Sequence, residues 1–146
     1  MINGTQILNN KVCATSDYTE LYRIREFVMD RAEKFGFSTE DASKVGLAVD
    51  EACTNIIRHS FKFDKSKKFC VQVDTNSNFF IINISDNGIP FNPMSVPEVD
   101  MNDYRKQLKR GGLGIHIIRN VMDEIEYIPS SGGDSMNLLT LKKSLI

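Results

Sequence analysis

Cysteine is scarce in this chain. Cys13, Cys53 and Cys70 are the three in 146 residues, and no CxxC pair occurs. So few and so scattered, they argue against a disulfide framework, and an odd count fits a reducing cytosol better than secretion. No ligand pair stands at a usual zinc spacing. An excess of either charge is also lacking: 18 Lys and Arg against 19 Asp and Glu leave a net charge of −1. That balance argues against nucleic acid as a direct partner, while a few placed donors can still bind a small anion. No apolar run approaches the length of about 20 residues that a membrane helix requires. The opening Met-Ile-Asn-Gly-Thr has neither the basic region nor the apolar run of a signal peptide. A cytoplasmic protein without membrane association is expected. Three catalytic or phosphate-binding patterns are missing as well: there is no GxSxG elbow, no GxxxxGK[ST] and no GxGxxG.

What is present is ordinary globular usage, 41% hydrophobic and 25% charged. The length fits one domain, residues 1–146, able to bury a real core. Residues 5–14 suit a short strand. Leu21, Ile24, Val28, Ala32 and Phe35 recur at helical spacing over 17–35. Asp17 is a candidate N-cap with Glu20 completing a capping-box-like pair, and Gly36 is a candidate stop. Ser38 opens a second helix, with Val45, Ala48, Val49, Ala52 and Ile56 as its buried stripe, ending near His59. Strands are expected at 69–73 and 79–84 around the turn Asn76-Ser77-Asn78. Residues 89–111 hold three of the four prolines, then an acidic and a basic cluster. An irregular stretch of this length reads as a lid. Gly111-Gly112-Leu113-Gly114 precedes a helix over 115–122, and strands near 124–128 and 136–143 close the chain. This order predicts an α+β fold, a two-layer sandwich of one mixed, mostly antiparallel sheet with helices on one face.

Three places could carry chemistry. Glu51 and Asn55 lie four apart on one flank of the second helix. The carboxylate can orient or deprotonate a nucleophile, and the amide oxygen can ligate a hard cation such as Mg²⁺. Asp86-Asn87-Gly88 ends a hydrophobic strand; it reads either as a turn or as a carboxylate fixed to accept from an exocyclic amine, with glycine admitting a flat ring. The glycines at 111–114 read either as a hinge or as exposed N–H groups at a helix start, where the dipole favours an anion. His59 and His116 read as packed or structural, and the lysine turn at 62–68 as a solvated loop.

Together these elements resemble the GHKL ATPase superfamily, over about residues 40–143. The asparagine motif is Asp50-Glu51-Ala52-Cys53-Thr54-Asn55-Ile56-Ile57-Arg58-His59. The two glycine boxes are Asp86-Asn87-Gly88-Ile89-Pro90-Phe91 and Gly111-Gly112-Leu113-Gly114-Ile115. Arg110 to Gly114, Ile118 to Asp123 and the ending Asn137-Leu138-Leu139-Thr140-Leu141 resemble the stand-alone anti-sigma-factor serine kinases of bacteria. The resemblance implies a histidine-kinase-type ATPase fold and ATP with Mg²⁺ as cofactors. By it, Glu51 is the general base, Asn55 the metal ligand, and Asp86 and Gly88 the adenine contacts. Gly112, Leu113 and Gly114 border the phosphates, Arg110 is a basic lid residue over 89–111, and Asn137 stands near the adenine where many members have threonine or another small polar residue. The implied function is an anti-sigma factor and serine/threonine protein kinase that phosphorylates an anti-sigma-factor antagonist, sequesters a sigma factor and forms a homodimer. The alternative is a non-catalytic, ATP-dependent protein-binding switch of the same fold. No histidine-bearing dimerisation helix, receiver or transducer domain accompanies these motifs, which disfavours a full sensor histidine kinase and a general ATPase.

Overall fold

The computed structural model describes residues 6–8, 10–95 and 112–146. Strands β1 (Gln6–Leu8) and β2 (Lys11–Thr15) form an antiparallel pair where a single strand over 5–14 is expected from the sequence. Helices α1 (Leu21–Phe35) and α2 (Thr39–Asn55) follow, then β3 (Lys68–Thr75), β4 (Phe79–Asp86), α3 (Gly112–Val121), β5 (Glu124–Ile128) and β6 (Asn137–Ser144). The six strands form one sheet in the order β1-β2-β3-β4-β6-β5, and every pairing is antiparallel.

Alternation places the core on one face of this sheet. Val12, Phe69, Val71, Val73, Phe80, Ile82, Ile84, Leu139 and Leu141 are buried there, under Ile24 and Val28 of α1, Val45, Ala48 and Val49 of α2, and Ile115 and Ile118 of α3. Fully burying an aliphatic side chain contributes about 1.5–3 kcal/mol, so this layer outweighs any single polar contact. The two-layer α+β sandwich with helices on one face is therefore the observed fold. Among the described residues no helix is long and apolar enough to cross a membrane.

Helix starts follow local chemistry. The Ser38 side chain accepts the Asp41 N–H at 3.1 Å, and Asp17 accepts that of Thr19 at 3.0 Å. The expected Asp17–Glu20 box is redirected: buried Glu20 takes the Thr15 N–H at 2.5 Å and its hydroxyl at 2.7 Å, tying the entry of α1 to the end of β2. Helix α2 does not end in a cap. It widens into a π-turn over Ile56–Ser60, where the Phe61 N–H reaches the Ile56 carbonyl at 2.8 Å.

The cysteine expectation needs correction. Cys13 and Cys70 face each other across β2 and β3 and form a disulfide, 57 residues apart in sequence. Pairing across a register cannot be read from spacing along the chain. With two of the three cysteines bonded to each other, the odd count no longer argues for a reducing compartment. Cys53 is free and buried in α2.

Candidate functional site

Helix α2 supplies the first half of the site. One turn separates Glu51 from Asn55, and Glu51 faces the first turn of α3. Asn55 is 7% exposed and lines a cleft with Asp86, Tyr127 and Leu139. Its amide nitrogen is buried and has no hydrogen-bond partner among the described residues. A buried N–H left unsatisfied costs about 1–3 kcal/mol, so this nitrogen has the capacity to donate to a partner that the described residues do not supply.

Glu51 is half-buried. Burial raises its proton affinity above the usual carboxylate range and the Asp50 charge adds to this, with Arg58 opposing both. The first turn of α3 lies directly on it. A methyl group at Gly114 would overlap the Glu51 Oε2 atom, so any larger residue there would push the Glu51 carboxylate out of this position. Gly112 and Leu113 open the same helix. The first N–H groups of a helix have no intrahelical acceptor and carry the positive end of its dipole. A carboxylate and the positive end of a helix thus meet at one point.

Strands β4 and β6 supply the second half. Asp86 ends β4, 3% exposed, opposite Asn137 at the start of β6, which is 0% exposed. The Asp86 Oδ1 atom accepts the Gly88 N–H at 2.8 Å and an Asn137 N–H at 3.0 Å. The second Asn137 N–H goes to the Gly88 carbonyl at 2.9 Å, and the Asn137 oxygen accepts the Ser130 N–H at 2.8 Å. Burial raises the proton affinity of Asp86, while the bonds from Asn137 and Gly88 work to keep it ionised. Gly88 is also a matter of space: a Cβ there would lie 2.6 Å from the Ser60 carbonyl oxygen, at the end of the π-turn. The Ile89 N–H donates to that same oxygen at 2.9 Å. The expectation that Gly88 admits a flat ring has this backbone packing beside it as a sufficient reason for glycine.

The cleft is covered by Phe91, Pro93 and Tyr127. The Tyr127 hydroxyl oxygen accepts the Phe91 N–H at 2.9 Å, and the Phe91 ring stacks on His59 with centroids 4.4 Å apart. About 10 Å³ of free space remains beneath them, near the least that holds one water. That space is far smaller than an aromatic base. Tyr127 was not a candidate from the sequence, although the alternation of β5 places it with Ile125 on the inward face. His59 is a packed ring, and His116 bonds Asn120 at 2.8 Å. Arg110 and positions 96–111 of the expected lid lie outside the described residues.

The structure thus brings Asn55 and Asp86 to one cleft, Glu51 against Gly114, and Asn137 onto Asp86 and Gly88. The model of the histidine kinase-like ATPase domain matches residues 14–143. Two curated relatives, the serine-protein kinase RsbW of Bacillus mycoides (strain KBAB4) and that of Bacillus thuringiensis (strain Al Hakam), are 27% and 26% identical over 136 residues, covering 90% of this chain and 83% of theirs. A crystal structure of the SiaB–SiaC complex from Pseudomonas aeruginosa matches with a TM-score of 0.61 at 14% identity, over 98% of this chain and 92% of that one. The histidine kinase domain of a blue-light activated histidine kinase from Erythrobacter litoralis EL346 gives 0.50 at 17% identity, over 99% and 65%. At these identities the two structures speak for the fold alone.

Proposed function

The chain belongs to the histidine kinase-like ATPase domain family, and from that premise we propose that it is a Mg-ATP-dependent protein serine/threonine kinase. Its substrate is an anti-sigma-factor antagonist, and it sequesters a sigma factor, as a cytoplasmic homodimer. The similarity to proteins named serine-protein kinase RsbW supports a protein serine as the phosphoryl acceptor. The observation that carries the reading is the position of Glu51: half-buried, raised in proton affinity, seated on the first turn of α3 and one turn from a buried carboxamide whose nitrogen has no partner among the described residues.

The residues fit Mg-ATP. Asn55 offers a carboxamide oxygen, the donor class that hard cations take together with phosphate oxygens, while its buried amide nitrogen, a hydrogen-bond donor with no partner among the described residues, is free to donate to a ligand oxygen. Bound Mg-ATP supplies the transferable phosphoryl group and the metal that neutralises its charge. Asn55 holds the metal, and Asp86 accepts from the exocyclic amine of the base beside Gly88 and Asn137. The N–H groups of Gly112, Leu113 and Gly114 receive the phosphates, with Arg110 of the lid as a cation. Glu51 takes the proton of the substrate hydroxyl on a carboxylate oxygen. Its raised proton affinity brings it nearer to working pH, where a base transfers protons efficiently.

The test is phosphorylation of the antagonist protein with γ-labelled ATP. The wild-type chain is expected to label a serine or threonine. Glu51→Gln is expected to bind ATP as well but to transfer at least about 100-fold more slowly, the usual scale of general-base loss. Unchanged turnover in Glu51→Gln would sink the base assignment. ATP binding by the wild type with no transfer at all would replace the kinase by the non-catalytic switch.

A further inference from the structure

We infer that Asn137 is a positioning residue: its buried carboxamide pins Asp86 so that one ionised carboxylate oxygen faces a base bearing an exocyclic amino group. The inference rests on the Mg-ATP reading and adds a role for a side chain that the resemblance had placed beside the base. Asn137 is 0% exposed, and its hydrogen-bonding groups point into the protein. One N–H goes to Asp86 Oδ1, the other to the Gly88 carbonyl, and its oxygen receives the Ser130 N–H. The orientation of the amide is fixed by chemistry. Flipped, it would set its oxygen against two acceptors and its nitrogen against a donor. Both donors are therefore engaged inside the protein, and the carboxamide has no N–H left for a ligand.

The consequence falls on Asp86. Two donors converge on its Oδ1, from Gly88 and Asn137. Among the described residues nothing donates to Oδ2, and Asp86 lines the cleft. A carboxylate held this way is a one-sided acceptor. It suits the amino group of a 6-aminopurine and repels the oxygen of a 6-oxopurine. Protonation would reverse that preference, because a carboxylic acid can donate to an oxo group. Asn137 opposes the reversal, since hydrogen bonds to the charged form favour it against burial. A threonine hydroxyl has one hydrogen and can serve Asp86 or the Gly88 carbonyl, not both. Asparagine at 137 bridges the two.

The test uses the full chain in two measurements. Carboxyl ¹³C NMR follows the titration of Asp86 without nucleotide in the wild type, Asn137→Ala and Asn137→Thr. Calorimetry then measures Mg-ATP and Mg-ITP affinity from pH 5 to 8. In Asn137→Ala the Asp86 titration is expected about one pH unit higher, the scale of one lost hydrogen bond to a charge. Its ATP affinity at pH 7 is expected to fall about tenfold, the preference for ATP over ITP to narrow, and the acid loss of binding to begin at higher pH. Asn137→Thr, with one donor, is expected between the two, and it decides the matter if the alanine variant does not fold. An Asp86 titration unmoved in both variants, with affinity reduced equally at every pH, is the mark of a merely structural role and overturns the inference. If the titration moves but the wild type binds neither nucleotide, the bracing of Asp86 stands and the Mg-ATP reading falls.

Discussion

At the Asp86 end of the cleft, Asn137 is fully buried and engages three hydrogen-bond partners; at the other end, Asn55 is almost as buried and its amide nitrogen engages none among the described residues. The same side-chain type therefore does opposite things about one helix and two strands. At the first end the protein has satisfied its own groups, so recognition there needs no rearrangement of Asp86. At the second end the protein carries an unsatisfied amide and a carboxylate that burial holds in a costly charged form. Such groups are tolerated where a ligand repairs them, which is where the chemistry of phosphoryl transfer would be done.

This contrast predicts different outcomes for similar truncations. The largest effect is expected from Asn55→Ala and Asp86→Ala, each losing at least about 100-fold in Mg-ATP affinity, on the scale of a lost charge-assisted contact. Their effects on the nucleotide-free protein should diverge. Asp86→Ala strands the Asn137 amide and is expected to cost about 1–3 kcal/mol in urea denaturation, whereas Asn55→Ala removes a nitrogen that already lacks a partner among the described residues and should cost less than 1. Equal destabilisation by the two would erase the distinction between the ends. Next in size is Gly114→Ala. The added methyl displaces the Glu51 carboxylate, and phosphotransfer is expected to fall about tenfold with ATP affinity changed less than threefold, as small misplacements of reacting groups do. Turnover at the wild-type rate would show that Glu51 does not need that seat.

The smallest effect concerns pH. Glu51 binds its proton more tightly in the fold than in the unfolded chain. Its contribution to stability is therefore fully present below the unfolded pKa of about 4.3, and is lost as pH rises through the higher folded value. Glu51→Gln lacks that loss. Its melting temperature should exceed that of the wild type at pH 7, and the advantage should shrink as pH falls toward 4. Phosphotransfer should move the opposite way in the wild type, declining as Glu51 becomes protonated. A melting difference independent of pH would remove the burial argument for Glu51.

Much of this was legible locally. The Ser38 cap, the stripe through Val45 and Ala52, and the turn at Asn76, whose side chain accepts the Asn78 and Phe79 N–H groups at 2.8 Å each, depend on neighbours in sequence. Glu51 and Asn55 could be placed on one flank because helical geometry fixes it. What could not be read depends on register and packing. The Cys13–Cys70 bond needs the alignment of β2 with β3. Glu20 turned away from its own helix because Thr15 offers two donors nearby. The widening of α2 into a π-turn brings Ser60 to Gly88 and His59 to Phe91, contacts no periodicity announces. The engagement of Asn137 with Asp86 joins residues 51 apart and follows from the pairing of β4 with β6. The alternation of β5 turns Tyr127 inward, but its part in the cleft rests on the hydrogen bond from the Phe91 N–H, 36 residues away in sequence.

The central claim is that the two ends form one Mg-ATP site, with the wired end reading the base and the unsatisfied end holding the metal. Calorimetric titration of the full chain with ATP, with and without Mg²⁺, tests it most directly. The account predicts saturable 1:1 binding that weakens at least about tenfold without Mg²⁺ in the wild type, and no such metal dependence in Asn55→Ala. Equal ATP affinity with and without Mg²⁺ in the wild type, or a metal dependence unchanged in Asn55→Ala, would contradict it.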